Sequence, residues 1–113
     1  MEGCIFCGII KGEIACEKVY ENDEVFAFVD ANPVAPVHIL IVSKAHIRSV
    51  ADIDSSNSSV MPAMFEAIAQ IAKEKGLKDG FRVVSNVGGN AGQTVSHLHF
   101  HIIGGHMLSM KLG

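Results

Sequence analysis

The chain has 113 residues, a common size for one domain, and its 49% hydrophobic and 19% charged residues exclude wholesale disorder. A formal net charge of −3, without a lysine or arginine cluster, gives no basic field for nucleic acid. No apolar run is long enough to span a bilayer and no signal-peptide pattern is present, so we expect one domain over residues 1–113 in a cytoplasmic protein without membrane partners.

The first half of the chain predicts a short helix followed by strands. Residues 4–10 are mostly apolar and favour a short helix. Residues 19–21 and 25–29 flank the turn pair Asn22-Asp23, which predicts a hairpin. After a stretch interrupted by prolines, residues 38–42 are continuously apolar from Ile39 onward and predict a compact third strand.

The second half predicts one main helix and two strands. Residues 54–59 form a polar loop that offers helix N-cap residues. Apolar residues then recur at helical spacing, at Val60, Met64, Ile68, Ile71 and Ala72. Residues 81–85 and 97–103 predict two more strands. The result is an antiparallel α+β fold with about five strands.

The last strand carries half of the six histidines. His97, His99 and His101 alternate with large apolar residues, so an extended strand places all three on one face. Imidazole acts near neutral pH as a nucleophile, a proton carrier or a metal ligand. The row is therefore a candidate chemical site, the alternatives being a histidine-rich metal patch or a solvated strand face.

A glycine-rich loop leads into this strand. Residues 85–95 contain Gly88, Gly89 and Gly92 together with short polar side chains. Glycines let main-chain N–H groups converge on an anion, although such a segment more often forms only a turn. Because it directly precedes the histidine strand, we interpret it as the oxyanion and phosphate cradle of a group-transfer enzyme.

The cysteines indicate a metal site. Cys4 and Cys7 form a C-x-x-C motif, but a thioredoxin-like redox pair needs a preceding strand that the first three residues cannot supply. His46 and His97 are candidates to complete a structural zinc site, the alternative being a reduced thiol pair without metal. Cys16 is expected to be a half-buried thiol.

Motifs along nearly the whole chain follow the order of one family. They lie at residues 4–10, 12–14, 26–30, 33–38, 44–46 and 91–95, and they end in the signature at 97–103, in which three histidines alternate with apolar residues. They resemble the histidine-triad (HIT) superfamily, specifically its Hint-like branch of nucleotide hydrolases. The resemblance implies a HIT-like fold and a homodimer, and because the main helix is hydrophobic and the sheet small we expect the subunits to join through the 60–75 helix and the edge strand near Phe81. His101 stands where the nucleotidyl-transferase branch carries glutamine, which favours hydrolysis.

Resemblance and chemistry together assign catalytic roles. A histidine that attacks phosphorus must be neutral and fixed in line with the leaving group, and we expect His99, the middle member, to form a nucleotidyl-histidine intermediate. His101 would donate to a nonbridging phosphate oxygen, with His38 as the additional histidine beside the triad. Thr94, where relatives carry serine, would contact the phosphate or leaving group, aided by the N–H near Val95.

The nucleoside end rests on the same resemblance. Asp30 follows an apolar strand and is expected to accept both ribose hydroxyls, although it also fits a turn-forming aspartate. Asn86 resembles the family's side-chain amide that donates to the phosphate or leaving group, the group that Thr94 would also contact. The apolar clamp around the purine would comprise Ile5, Phe6, Ile9, Phe28, Val29 and Leu40, each of which by composition alone is simply core.

The sequence thus predicts a hydrolase that cleaves purine nucleoside 5'-phosphoramidates to AMP or GMP. One alternative is cleavage of dinucleoside polyphosphates, and another is a nucleotide-binding regulatory or scaffold protein with little turnover. Zinc at Cys4, Cys7, His46 and His97 is expected to be structural, and no cofactor is expected for catalysis. Several microbial relatives bind zinc with this set.

Overall fold

The computed structural model describes residues 3–112, which form two helices and one five-stranded sheet. The elements are α1 (Ile5–Ile10), β1 (Lys18–Glu21), β2 (Val25–Val29), β3 (Val37–Ser43), α2 (Val60–Glu74), β4 (Phe81–Val84) and β5 (His99–Gly104). Short 3-10 turns lie at Val50–Asp52 and Gly89–Ala91. The predicted α+β class, strand number, main helix and short N-terminal helix are confirmed. No helix within residues 3–112 is both long enough and apolar enough to cross a bilayer.

The sheet has the order β1-β2-β3-β5-β4, and every neighbouring pair is antiparallel. β5 therefore lies between β3 and β4. Its register places Leu40 opposite His101 and Val42 opposite His99. Because opposite residues in an antiparallel pair share a face, the histidines of β5 lie beside apolar side chains of β3.

The two faces of the sheet are covered by different helices. α2 packs on one face, where Phe100 and Ile102 of β5 join its buried apolar side chains. α1 covers the other face with Phe6 and Ile9, in a cluster with Phe26, Phe28, Leu40 and Val42. The period-two alternation of β5 thus sends its apolar residues toward α2 and its histidines toward α1.

The apolar stripe of α2 determines its position. Met64 and Ile71 are fully buried, and burying one such side chain stabilises the fold by about 1.5–3 kcal/mol. The helix ends where Gly76 adopts φ +71° and the Leu77 N–H donates to the Ala72 carbonyl at 2.9 Å. At its start, Ser59 makes no side-chain capping hydrogen bond, so the expected cap is not formed there.

The histidine strand begins two residues later than predicted. β5 starts at His99, and His97 lies in a bend before it. The reason is long-range, because the Leu98 N–H donates to the Ile47 carbonyl at 2.6 Å and the His97 Nε2 lies 2.7 Å from the Ser43 carbonyl oxygen. Tertiary contacts end the pairing where the alternating sequence alone would continue it.

Candidate active site and metal centre

The triad histidines lie beneath α1. The ring of Phe6 packs edge-on against His97 and His99, with ring centroids 5.9 and 5.0 Å apart, and the rings of His99 and His101 are 5.3 Å apart. His97 is fully buried and His99 is 6% exposed. This burial contradicts the alternative of a solvated strand face.

A backbone carbonyl fixes the tautomer of His99. Its Nδ1 lies 2.7 Å from the carbonyl oxygen of His97. A carbonyl only accepts, so Nδ1 carries the hydrogen and Nε2 carries the lone pair. His99 therefore presents the electron pair that attack on an electrophile requires.

A second chain of hydrogen bonds fixes the tautomer of His101. The Val34 N–H donates to His38 Nδ1 at 3.1 Å, so His38 bears its hydrogen on Nε2. That nitrogen lies 2.9 Å from His101 Nδ1 and 3.3 Å from Asp30 Oδ2. His101 Nδ1 thus accepts, which leaves its Nε2–H as a donor.

Burial keeps His101 neutral. Desolvation first, and then the neighbouring His99 and His38, lower the pKa of His101 to about 4. Asp30, His38 and His101 also lie close enough to hold a metal ion. The Val34 bond argues against that use, because it leaves the hydrogen, not the lone pair, on His38 Nε2.

The glycine-rich loop turns the chain toward the cavity. Gly88 and Gly92 have φ of +80° and +82°, a region that residues with a Cβ rarely adopt. Asn86 donates one amide hydrogen to the Ala91 carbonyl at 2.8 Å, which braces the loop from within. Thr94 then lines the same cavity as His99 and His101.

A cavity of about 770 Å³ joins these groups. Its polar end has His99 and His101 beside the loop, and its apolar end has α1 and β2. The predicted residues that line it are Ile5, Phe6, Ile9, Phe28, Val29, Asp30, Leu40, Asn86, Thr94, Val95, His99 and His101. Of the predicted catalytic and nucleotide-binding residues, only His38 lies outside this lining, directly behind His101.

Asp30 matches both interpretations of its position. Its Oδ1 accepts from the Asn32 N–H at 2.7 Å, as a turn-forming aspartate does. Its side chain also lines the cavity and lies 3.3 Å from His38 Nε2. The turn therefore orients the carboxylate toward the site.

Sequence reasoning missed one wall of the cavity. Residues 14–17, together with Ala31 and Asn32, line the apolar end. Cys16 is exposed there, so the prediction of a half-buried thiol is wrong. The segment after α1 has no periodic pattern, and only its return to the sheet at β1 brings it to the cavity mouth.

The four predicted metal ligands converge beside the triad. The Sγ of Cys4 lies 3.3 Å from His97 Nδ1, and the Sγ of Cys7 lies 3.3 Å from His46 Nδ1 and 3.6 Å from His97 Nδ1. Tetrahedral zinc, with its usual bond lengths, places sulfur and nitrogen ligands about 3.5 Å apart. All four ligand atoms lie within 4.8 Å of one another, so the set fits such an ion.

The surroundings prepare these residues for a metal. The Ser43 carbonyl accepts from His97 Nε2 at 2.7 Å, which directs the Nδ1 lone pair toward the thiols. Burial lowers the pKa of His46 and of His97, which favours the neutral rings that a metal binds. Burial also raises the pKa of the Cys4 thiol, and a bound cation would favour its thiolate.

Comparison with known proteins agrees with the fold described above. The HIT domain family matches residues 11–108. A HIT family hydrolase from Clostridium thermocellum superposes with a TM-score of 0.96 at 42% identity, covering 99% of this chain and 98% of that one. A histidine triad protein from Clostridium difficile gives 0.94 at 48% identity, with the same coverage. Purine nucleoside phosphoramidase of Escherichia coli is 38% identical over 112 residues, 98% of this chain and 94% of that protein.

Proposed function

The chain belongs to the HIT domain family, and we propose that it hydrolyses purine nucleoside 5'-phosphoramidates to AMP or GMP through a nucleotidyl intermediate on His99. The observation that carries the proposal is the His99 Nε2 lone pair, fixed by the His97 carbonyl at the polar end of the cavity. The similarity to an enzyme named for phosphoramidase activity supports the choice of substrate.

The first step transfers the nucleotidyl group to the protein. His99 Nε2 attacks the α-phosphorus, the phosphorus–nitrogen bond breaks, and the leaving amine takes the proton of the Thr94 hydroxyl. Negative charge that builds on the nonbridging oxygens is met by the His101 Nε2–H and the Val95 N–H. Because His101 is neutral, it acts as a hydrogen-bond donor and keeps its proton.

The second step releases the nucleotide. A water oxygen attacks the same phosphorus and the bond from phosphorus to His99 Nε2 breaks. A proton of the water returns to the Thr94 oxygen and replaces the one given to the amine. The products are the free amine and the nucleoside monophosphate. Splitting one substitution into two in this way lowers each barrier.

The apolar end accounts for the nucleoside. Phe6 and Phe28 pack edge-on with ring centroids 5.7 Å apart and line the cavity with the aliphatic side chains of α1. A flat purine fits such a clamp because its burial removes apolar surface from water. Asp30 Oδ2 is the acceptor for the ribose hydroxyls.

We also propose a structural zinc ion at Cys4, Cys7, His46 and His97. Four protein ligands close the coordination sphere, so zinc there supplies rigidity and leaves no position for substrate. The ion would tie α1 and the segment after β3 to the residue whose carbonyl orients His99.

A homodimer is the third part of the proposal. Phe65 of α2 and Phe81 and Val83 of β4 are exposed apolar side chains. Val83 lies opposite Ile102, whose side chain faces α2, so these residues share one face at the edge of the sheet. A second copy would cover that face by two-fold symmetry.

One assay tests the activity. Purified protein is incubated with an adenosine 5'-phosphoramidate and, separately, with a diadenosine polyphosphate, and AMP release is followed. We expect rapid release from the phosphoramidate, abolished in His99→Ala. Faster cleavage of the polyphosphate would support the dinucleotide hydrolase instead, and AMP binding without turnover of either compound would support the regulatory protein.

A further inference from the structure

The loop that presents Thr94 and Val95 is long and rich in glycine, so it needs side-chain restraints to stay ordered. Fourteen residues, 85–98, connect β4 to β5, and three are glycines. Glycine loses more backbone freedom on ordering than any other residue. A cradle for a developing charge must nevertheless be held in place before the reaction begins.

The Gln93 side chain makes three hydrogen bonds, all to backbone groups. Its Oε1 accepts from the Gly88 N–H at 2.8 Å, and its Nε2 donates to the Arg48 carbonyl at 2.7 Å and to the Val95 carbonyl at 3.1 Å. An N–H faces the oxygen and two carbonyls face the nitrogen, so the amide has one consistent orientation. The Gln93 N–H also donates to the Gly88 carbonyl at 3.1 Å.

These bonds connect three parts of the molecule. Gly88 begins the glycine-rich turn, Val95 follows Thr94, and Arg48 lies two residues after His46 on the opposite side of the loop. Gly92, Thr94 and Val95 line the cavity, whereas Gln93 lies behind them. Gln93 therefore holds both sides of Thr94 without occupying the substrate's space.

We propose that Gln93 is a positioning residue that holds the Thr94 hydroxyl and the Val95 N–H in line with His99 for the transition state. This inference rests on the proposed function. The proposed nucleoside contacts come from α1 and β2. Losing the three Gln93 side-chain hydrogen bonds should therefore lower kcat and leave AMP affinity nearly unchanged. Displacements of about 1 Å in such groups lower rates on the order of 10²-fold.

Two variants separate the acceptor of Gln93 from its donors. Gln93→Met removes all three side-chain bonds. Gln93→Glu keeps an oxygen for the Gly88 N–H but cannot donate to the Arg48 and Val95 carbonyls. Gln70→Met is the matched control, because Gln70 is exposed on α2, where its amide bonds only Glu74, at 3.3 Å.

The experiment measures kcat, KM and AMP affinity for the zinc-loaded full chain, with amide exchange at Gly88 followed by NMR. We expect kcat to fall about 10- to 100-fold in both Gln93 variants, with AMP affinity within about twofold of wild type and Gln70→Met unchanged. Gly88 exchange should be about tenfold faster in Gln93→Met than in wild type.

Two kinetic results would overturn the proposal: an unchanged kcat in Gln93→Met, or an AMP affinity that falls by the same factor as kcat. If wild-type protein turns over no phosphoramidate, the proposed function fails. Amide exchange at Gly88 still tests whether Gln93 restrains the loop. Faster exchange in Gln93→Met than in wild type and Gln70→Met would support it, and equal rates would refute it.

Discussion

At the scale of residues, three imidazoles of one motif differ through their hydrogen-bond partners. His97 bonds the Ser43 carbonyl through Nε2, which turns its Nδ1 toward the cysteines. His99 bonds the His97 carbonyl through Nδ1, which frees Nε2. His101 accepts from His38. These tautomers fit the proposed roles of metal ligand for His97, nucleophile for His99 and hydrogen-bond donor for His101.

The pKa of His101 predicts how stability depends on pH. Burial lowers it from 6.5 to about 4, so between these values the unfolded chain binds more protons than the folded chain. The free energy of unfolding should therefore decrease as pH falls from 6.5 toward 4. Urea titrations of zinc-loaded wild type and His101→Gln at pH 7 and pH 5 test this.

Between pH 7 and pH 5 the free energy of unfolding should decrease less in His101→Gln than in wild type, because glutamine does not titrate. The remaining decrease belongs to other titrating groups, including the four proposed zinc ligands, whose protonation competes with the metal. Equal decreases in both proteins would show that His101 does not contribute.

At the scale of elements, α1 joins the two sites. Cys4, which caps the helix, and Cys7 face His97 and His46, the other two proposed metal ligands, while Phe6 and Ile9 line the candidate nucleotide cavity. A six-residue helix is too short to be stable alone, so its position depends on these contacts. Metal binding and nucleotide binding are therefore expected to support each other.

Removing one metal ligand tests this connection. Wild-type protein should carry about one zinc per chain, and Cys4→Ser should release it, weaken AMP binding several-fold and spare most of kcat. Elemental analysis and calorimetric titration with AMP measure the two effects. Cys16→Ser, a change of the same kind at an exposed thiol, should retain zinc.

Metal-free wild type from zinc-replete medium would contradict the zinc assignment. Unchanged AMP affinity in metal-free Cys4→Ser would contradict the connection through α1.

Local periodicity explains which elements were predictable. The hairpin, α2 and the alternation of β5 follow from residue spacing within ten or fifteen residues. The triad motif is visible within the five residues 97–101. The start of β5, the exposure of Cys16 and the wall at 14–17 depend on contacts between distant segments. Gln93 is the clearest case: it lies in the 91–95 motif, but its partner Arg48 is 45 residues away, so the sequence does not show what its side chain bonds.

At the scale of the whole molecule, one apolar face stays uncovered. Phe65 is 49% exposed, although its ring also packs against Phe100 at 5.3 Å, and Phe81 and Val83 lie at the free edge of β4. An open edge strand beside exposed aromatic rings is a surface that a second copy can pair with. The candidate active-site cavity lies on the opposite face of the sheet, beneath α1.

A charge on this face should separate the subunits. We expect wild type to have the mass of a dimer in light scattering at micromolar concentration, and Phe65→Glu to have that of a monomer, because the carboxylate would be buried without a partner. Glu66→Gln, a neighbouring change on the exposed side of α2, should stay dimeric. A monomer mass for wild type would rule out the proposed dimer.

The covalent step is the central claim, and trapping it is its most direct test. Wild type is mixed with an adenosine phosphoramidate radiolabelled at phosphorus, quenched within milliseconds, digested and mapped by fragmentation. We predict an acid-labile nucleotide on His99, and a fall in turnover of at least about 10³-fold in His99→Ala with AMP binding retained. Label on any other residue, or near-normal turnover by His99→Ala, would contradict the mechanism.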